Sequence, residues 1–193
     1  MSVSFEENQR LRAITRRRFL RLGAASAAWL SLPGAAVWAG LRAPLASARA
    51  LAFYNTHTGE SLKTVYWENG GYVAGALGEI NHILRDFRAN EVRPIEPPLL
   101  DLLHALARRL DTREPFHIIS GYRSPATNAM LAAHSEGVAR HSLHQFGKAA
   151  DIRVPGRDLN TLHRVAIALR GGGVGYYPRS DFVHVDVGRV RYW

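Results

Sequence analysis

The chain has no cysteine among its 193 residues. No disulfide can brace it, so packing must hold the fold, and any metal it binds must be met by nitrogen and oxygen donors alone. It also lacks a long unbroken apolar run. The nearest candidate, Leu22 to Ala39, is alanine-rich and interrupted by Ser26, Ser31, Pro33 and Gly34, which is too weak for a membrane span. Internal repeats and low-complexity tracts are missing after residue 49, so that part reads as one domain. A helical His-x-x-x-His pair accompanied by glutamate is absent as well. Any metal site must therefore draw its ligands from separate segments.

Acidic residues are few, 16 against 25 basic ones, and the formal charge is +9. A surplus of this size can mark a nucleic-acid binder, but its distribution disfavours that class. Residues 1–48 hold seven arginines against Glu6 and Glu7, a net +5, which leaves +4 for residues 49–193. The remainder suits weak long-range attraction to an anionic polymer such as a cell wall, and equally suits no particular partner.

The arginines have a pattern. Thr15-Arg16-Arg17-Arg18-Phe19-Leu20-Arg21, followed by the broken apolar run, resembles a twin-arginine export signal. Ala46-Ser47-Ala48 then offers small residues at the spacing a signal peptidase reads. Residues 1–48 are expected to be the signal peptide, with export to the periplasm and a mature start near Arg49. The alternative is an uncleaved signal that anchors the chain to the inner membrane. About 145 residues remain, a common single-domain size.

Within them, Leu51–Asn55 and Leu62–Trp67 read as a hairpin around the turn Thr56–Glu60. Apolar spacing predicts a helix from about Ala74 to Arg88 and a second after Pro97-Pro98, striped by Leu99, Leu102, Leu103, Leu106 and Leu110. Phe116–Ser120 is a short strand that leaves through the turn Gly121–Pro125, with a helix expected from Asn128 to His134. Ala149–Val154 is a strand. Asp158 caps a helix from Leu159 to about Arg170, and the last strands are Val174–Tyr177 and Phe182–Val187.

Two short stretches carry the chemistry. Asp151 shares a strand face with Ala149 and Arg153 by period-two alternation, while His184 shares one with Phe182 and Asp186. His144 lies seven residues before Asp151, ahead of Gly147, which lets the chain turn back toward the carboxylate. Two imidazoles and a carboxylate are the ligand types of a catalytic zinc site, which leaves its fourth position to water.

The pattern Ser-x-His-x-x-Gly-x-Ala-x-Asp, at Ser142, His144, Gly147, Ala149 and Asp151, resembles that of the zinc D-alanyl-D-alanine peptidase group of the LAS and hedgehog-type fold. Ser120-Gly121-Tyr122-Arg123-Ser124 and Asp181-Phe182-Val183-His184-Val185-Asp186 are similar to its other two blocks, most of all in the YcbK-like branch of murein endopeptidases. The likeness spans about residues 50–193. It implies an α+β fold, with a small, mainly antiparallel sheet carrying the zinc and helices on the opposite side. It implies one Zn2+ ion held by His144, Asp151 and His184, and peptidoglycan peptides as substrate for a monomeric enzyme.

In relatives an acidic residue three before the last ligand is the general base, which here is Asp181; Asp186 is the runner-up. Phe182 stands where others carry a basic histidine and cannot serve. Arg123 is the expected partner for negative charge developing on the substrate carbonyl, and Ser142 is a candidate support for a neighbouring ligand. Two rival functions stay open: a D,D-carboxypeptidase or D-Ala-D-Ala dipeptidase, and a zinc-containing wall-binding module without hydrolysis.

Overall fold

The computed structural model describes residues 48–134 and 138–193. The twin-arginine stretch and most of the small-residue cleavage motif lie outside the described residues. Among those described, no helix is long and apolar enough to cross a membrane.

The expected hairpin is strands β1 (Arg49–Asn55) and β2 (Ser61–Glu68), extended by the short β3 (Gly71–Tyr72). Asn55 fixes the turn, because its side-chain oxygen accepts from the backbone N–H groups of His57 and Thr58 at 3.0 and 3.2 Å. Helices α1 (Ala74–Ile83) and α2 (Pro97–Arg109) follow, then β4 (Phe116–Ser120), α3 (Pro125–His134) and β5 (Ala149–Arg153). The chain closes with α4 (Leu159–Leu169), β6 (Gly173–Tyr177), β7 (Phe182–Asp186) and β8 (Arg191–Tyr192). Asp158 caps α4 as expected, accepting from the backbone N–H of Thr161 at 2.8 Å.

One eight-stranded sheet joins these strands in the order β3-β2-β1-β4-β5-β7-β6-β8. It is mainly antiparallel, and only β1–β4 and β6–β8 run parallel. The N-terminal hairpin docks onto β4, and β8 adds the far edge. Strand alternation separates its two jobs. Ile152 pairs with Val183 and Ala150 with Val185 on the face covered by α2 and α4, where Leu99, Leu103, Leu106 and Leu162 complete the buried core. Between them Asp151 pairs with His184, so both side chains leave on the opposite face.

Two helix boundaries differ from the periodic reading. α1 stops at Ile83 and does not run to Arg88, since the Leu84 carbonyl is taken by the N–H of Tyr122 at 2.7 Å. Asp86 then turns inward, fully buried, and accepts from the N–H groups of Arg88 and Ser124 at 3.0 and 2.9 Å. α3 starts at Pro125, ahead of Asn128, as a proline at the first helical position allows.

Gly147 matters to the frame for two reasons. Its φ of 65° lies in the left-handed region, and a Cβ there would run into the Pro94 carbonyl. Its own carbonyl accepts from the N–H of Glu96 at 2.9 Å, tying the metal-facing turn to the start of α2. Gly147→Ala is therefore expected to cost about 1–3 kcal/mol in urea unfolding, from overpacking plus backbone strain.

Candidate metal centre

His144 sits in the 3-10 turn Leu143–Phe146, which Ser142 caps by accepting from the His144 N–H at 3.4 Å. Its Nδ1 lies 2.7 Å from the Gly121 carbonyl. A carbonyl only accepts, so Nδ1 donates to it and the ring turns its other nitrogen inward. Nε2 faces Asp151 Oδ1 and His184 Nδ1, each 3.2 Å away. Gly121 holds its carbonyl in place because it lies too close to the Leu84 backbone for any side chain.

His184 is oriented the opposite way round. Its Nε2 donates to Asp186 Oδ2 at 3.0 Å, which leaves Nδ1 facing Asp151 Oδ1 at 2.9 Å. The three donor atoms of His144, Asp151 and His184 all fall within 4.8 Å of one another, and all three residues are buried. Tetrahedral ligands about 2.0–2.2 Å from one zinc ion stand about 3.3–3.6 Å apart. The donor spacing found here needs only slight opening to admit an ion, and His144 Nε2 and His184 Nδ1 both face the same point.

The charges around the triad are coupled. Burial alone would raise Asp151, but His144 and His184 outweigh it and hold the carboxylate far below its usual range. Burial would lower His184, yet its bonds to Asp151 and Asp186 win and lift it to about 9. Arg123 Nη2 lies 3.4 Å from Asp151 Oδ2, and the same guanidinium bonds Ser120 Oγ at 3.2 Å and Asn128 Oδ1 at 3.3 Å. Burial lowers the pKa of Arg123, with Asp151 opposing the shift.

The triad opens onto a cleft of about 490 Å³, whose walls include Arg123, His141, Tyr177, Phe182, Arg191 and Trp193. Asp181 is not among the residues lining it. The expected base sits at φ 53°, at the end of the turn Pro178–Ser180, and its exposed carboxylate pairs with Arg153 Nη1 at 2.8 Å. Arg153 lies two residues beyond Asp151 on the same face of β5, and its guanidinium holds the Asp181 carboxylate. Asp186 is also off the cleft, wholly buried behind His184. His141 is at the cleft edge, as its position suggests, while His134 is exposed and bonds its own helix at the Met130 carbonyl.

Three elements of the site carry no plain sequence signal: the Gly121 carbonyl, Asn128, and the Arg191–Trp193 edge. Asp186 had one, the shared strand face with His184.

Three converging His and Asp donors, buried beneath an open cleft on one face of an α+β sheet, are a donor set that could hold a metal ion in a hydrolase. The chain belongs to the Peptidase_M15_2 family, described as peptidoglycan L,D-endopeptidase MepK, which it matches over residues 43–193. It is therefore a peptidase of the M15 group. It is 44% identical over 178 residues to peptidoglycan L,D-endopeptidase MepK of Escherichia coli strain K12, covering 92% of this chain and 96% of that protein. It is 38% identical over 179 residues to the probable peptidoglycan L,D-endopeptidase MepK of Haemophilus influenzae, covering 92% and 95%.

The raised His184 sets a pH dependence. Metal needs the neutral ring, so below about 9 the metal must displace a proton from His184. Zinc affinity of the metal-free protein is expected to climb with pH and level off above about 9. Calorimetry in buffers of different ionisation enthalpy should show proton release at pH 7 that vanishes above that value. The metal-free fold has the opposite trend: a raised native pKa stabilises fully below the unfolded value and is lost as pH rises through about 9.

Proposed function

We propose that this chain is an exported zinc endopeptidase that hydrolyses peptide cross-links of peptidoglycan, at bonds between an L- and a D-configured residue. The observation that carries the reading is the convergence of the His144, Asp151 and His184 donor atoms under a cleft, in a chain that shares family and near-complete coverage with proteins named for that activity. Export through the twin-arginine route to the periplasm fits a substrate that lies outside the cytoplasmic membrane.

His144, Asp151 and His184 would hold the ion, which supplies a Lewis acid and lowers the pKa of bound water. The protein's own groups do the rest. His144 and His184 are each locked in one tautomer by Gly121 and Asp186, so neither spends binding energy on reorientation. Arg123 is a fixed cation at the cleft wall, suited to negative charge growing on a carbonyl oxygen. Asp181 can take a proton from attacking water only by exchanging Arg153 for the cleft.

Incubation of the zinc-loaded protein with murein fragments, read by mass spectrometry, tests this reading. Cleavage at L–D bonds within cross-links, lost with a chelator and restored by zinc, is the expected result. Release of only terminal D-alanine would mark a carboxypeptidase, and intact fragments a binding module. With Asp181 as the general base, Asp181→Asn is expected to keep zinc and to lose about 10²–10⁴ in activity, whereas unchanged hydrolysis would point away from Asp181.

A further inference from the structure

Asp186 has no exposure and sits directly behind a metal ligand. Its two oxygens are held differently. Oδ1 accepts from the backbone N–H groups of Gly173 and Gly188 at 3.0 and 2.8 Å and from Arg191 Nη1 at 3.1 Å. Oδ2, the oxygen that faces His184, accepts from His184 Nε2 at 3.0 Å and from Arg191 Nη2 at 2.7 Å. Among the described residues, Arg191 is thus the one group besides His184 itself that fixes the oxygen on which the ring is hung. A carboxylate buried this deeply also needs a compensating charge, and the guanidinium fork supplies charge and direction together.

Arg191 is itself held. It lies on β8, paired with Gly173 of β6, and its Cζ sits 4.9 Å over the Trp193 ring. Trp193 is pinned by backbone bonds to β6, where its N–H donates to the Val174 carbonyl at 3.2 Å and its carbonyl accepts from the Tyr176 N–H at 3.0 Å. The indole Nε1 donates to Tyr177 Oη at 2.8 Å, and the ring centre lies 5.3 Å from that of His184. β6 is cut back to receive this edge. A Cβ on Gly175 would stand 2.7 Å from the indole, and one on Gly173 would strike both the Arg191 guanidinium and Asp186 Oδ2. Gly173 thus makes room for Arg191 and Asp186, and Gly175 for Trp193.

We propose that Arg191 is a positioning residue for the ligand His184, acting through Asp186, with Trp193 as the brace that holds its guanidinium in place. The proposal rests on the reading of His144, Asp151 and His184 as a zinc site. Arg191 does not touch substrate in this role. It sets the direction of the Asp186–His184 hydrogen bond and, through it, the direction of the Nδ1 lone pair.

The test uses the full chain stripped of metal. Zinc affinity is measured by competition with a chromogenic chelator, and ligand geometry by the absorption spectrum of the cobalt(II)-substituted protein. Arg191→Met is expected to weaken zinc binding about 10–100-fold and to change the cobalt spectrum. Arg191→Lys, which keeps the charge but loses the fork, should fall between that variant and the native chain. Arg189→Met, on the exposed turn just before β8, should bind zinc as the native chain does. A purely structural role for Arg191 would lower the unfolding temperature of the metal-free protein yet leave zinc affinity and the cobalt spectrum of the folded protein unchanged. That result overturns the proposal. Should Arg191→Met fail to fold, Arg191→Lys decides: native affinity with a native spectrum sinks the proposal, and weakened binding upholds it. Failure of the native chain to bind one zinc is a separate result, which would remove the zinc reading itself.

Discussion

The structure turns on one buried carboxylate. Asp151 is 6% exposed, and removing such a group from water costs several kcal/mol unless its neighbours compensate. Here His144 and His184 meet one oxygen and Arg123 the other. Each of those partners is in turn committed elsewhere: His144 to the Gly121 carbonyl, His184 to Asp186, and Arg123 to Ser120 and Asn128. The result is a polar network in which almost every donor and acceptor is matched, set on the sheet face opposite α2 and α4. Networks of this kind are rigid because a half-satisfied member is worse than none.

That rigidity is borrowed from distant parts of the fold. The early stop of α1 looks like a local detail, yet it frees the Leu84 carbonyl and the Asp86 carboxylate to seize Tyr122 and Ser124. Those two bonds bracket Arg123 and place the neighbouring Gly121 carbonyl. Gly147 locks the other side, joining the turn that carries His144 to the start of α2. The site is thus tied at one side to the segment that follows α1 and at the other to the start of α2.

Much of this could be read from the residues alone. Alternation along β5 and β7 placed Asp151 and His184 on single faces, and Gly147 announced the turn behind His144. The family followed from three short blocks. What could not be read has physical causes. Apolar spacing continued past Ile83, and only the tertiary demand of Tyr122 for a carbonyl ends the helix there. The two-residue strand β8 is too short to show any period, so Arg191 and Trp193 carried no signal. Asp181 stands at a left-handed backbone angle and pairs with Arg153, and spacing along the chain announces neither. Spacing along a chain fixes which strand end a residue occupies, and local electrostatics decide where its side chain goes.

The groups that meet at the triad come from far apart along the polypeptide. His144 and His184 are separated by 40 positions, Asp151 and His184 by 33, and Gly121 and His144 by 23. The pairing of β5 with β7 is what closes loops of that length, so an extended chain offers an ion no more than scattered single donors. Whatever cation these donors can hold is thereby linked to the sheet itself, and occupancy and assembly would reinforce one another.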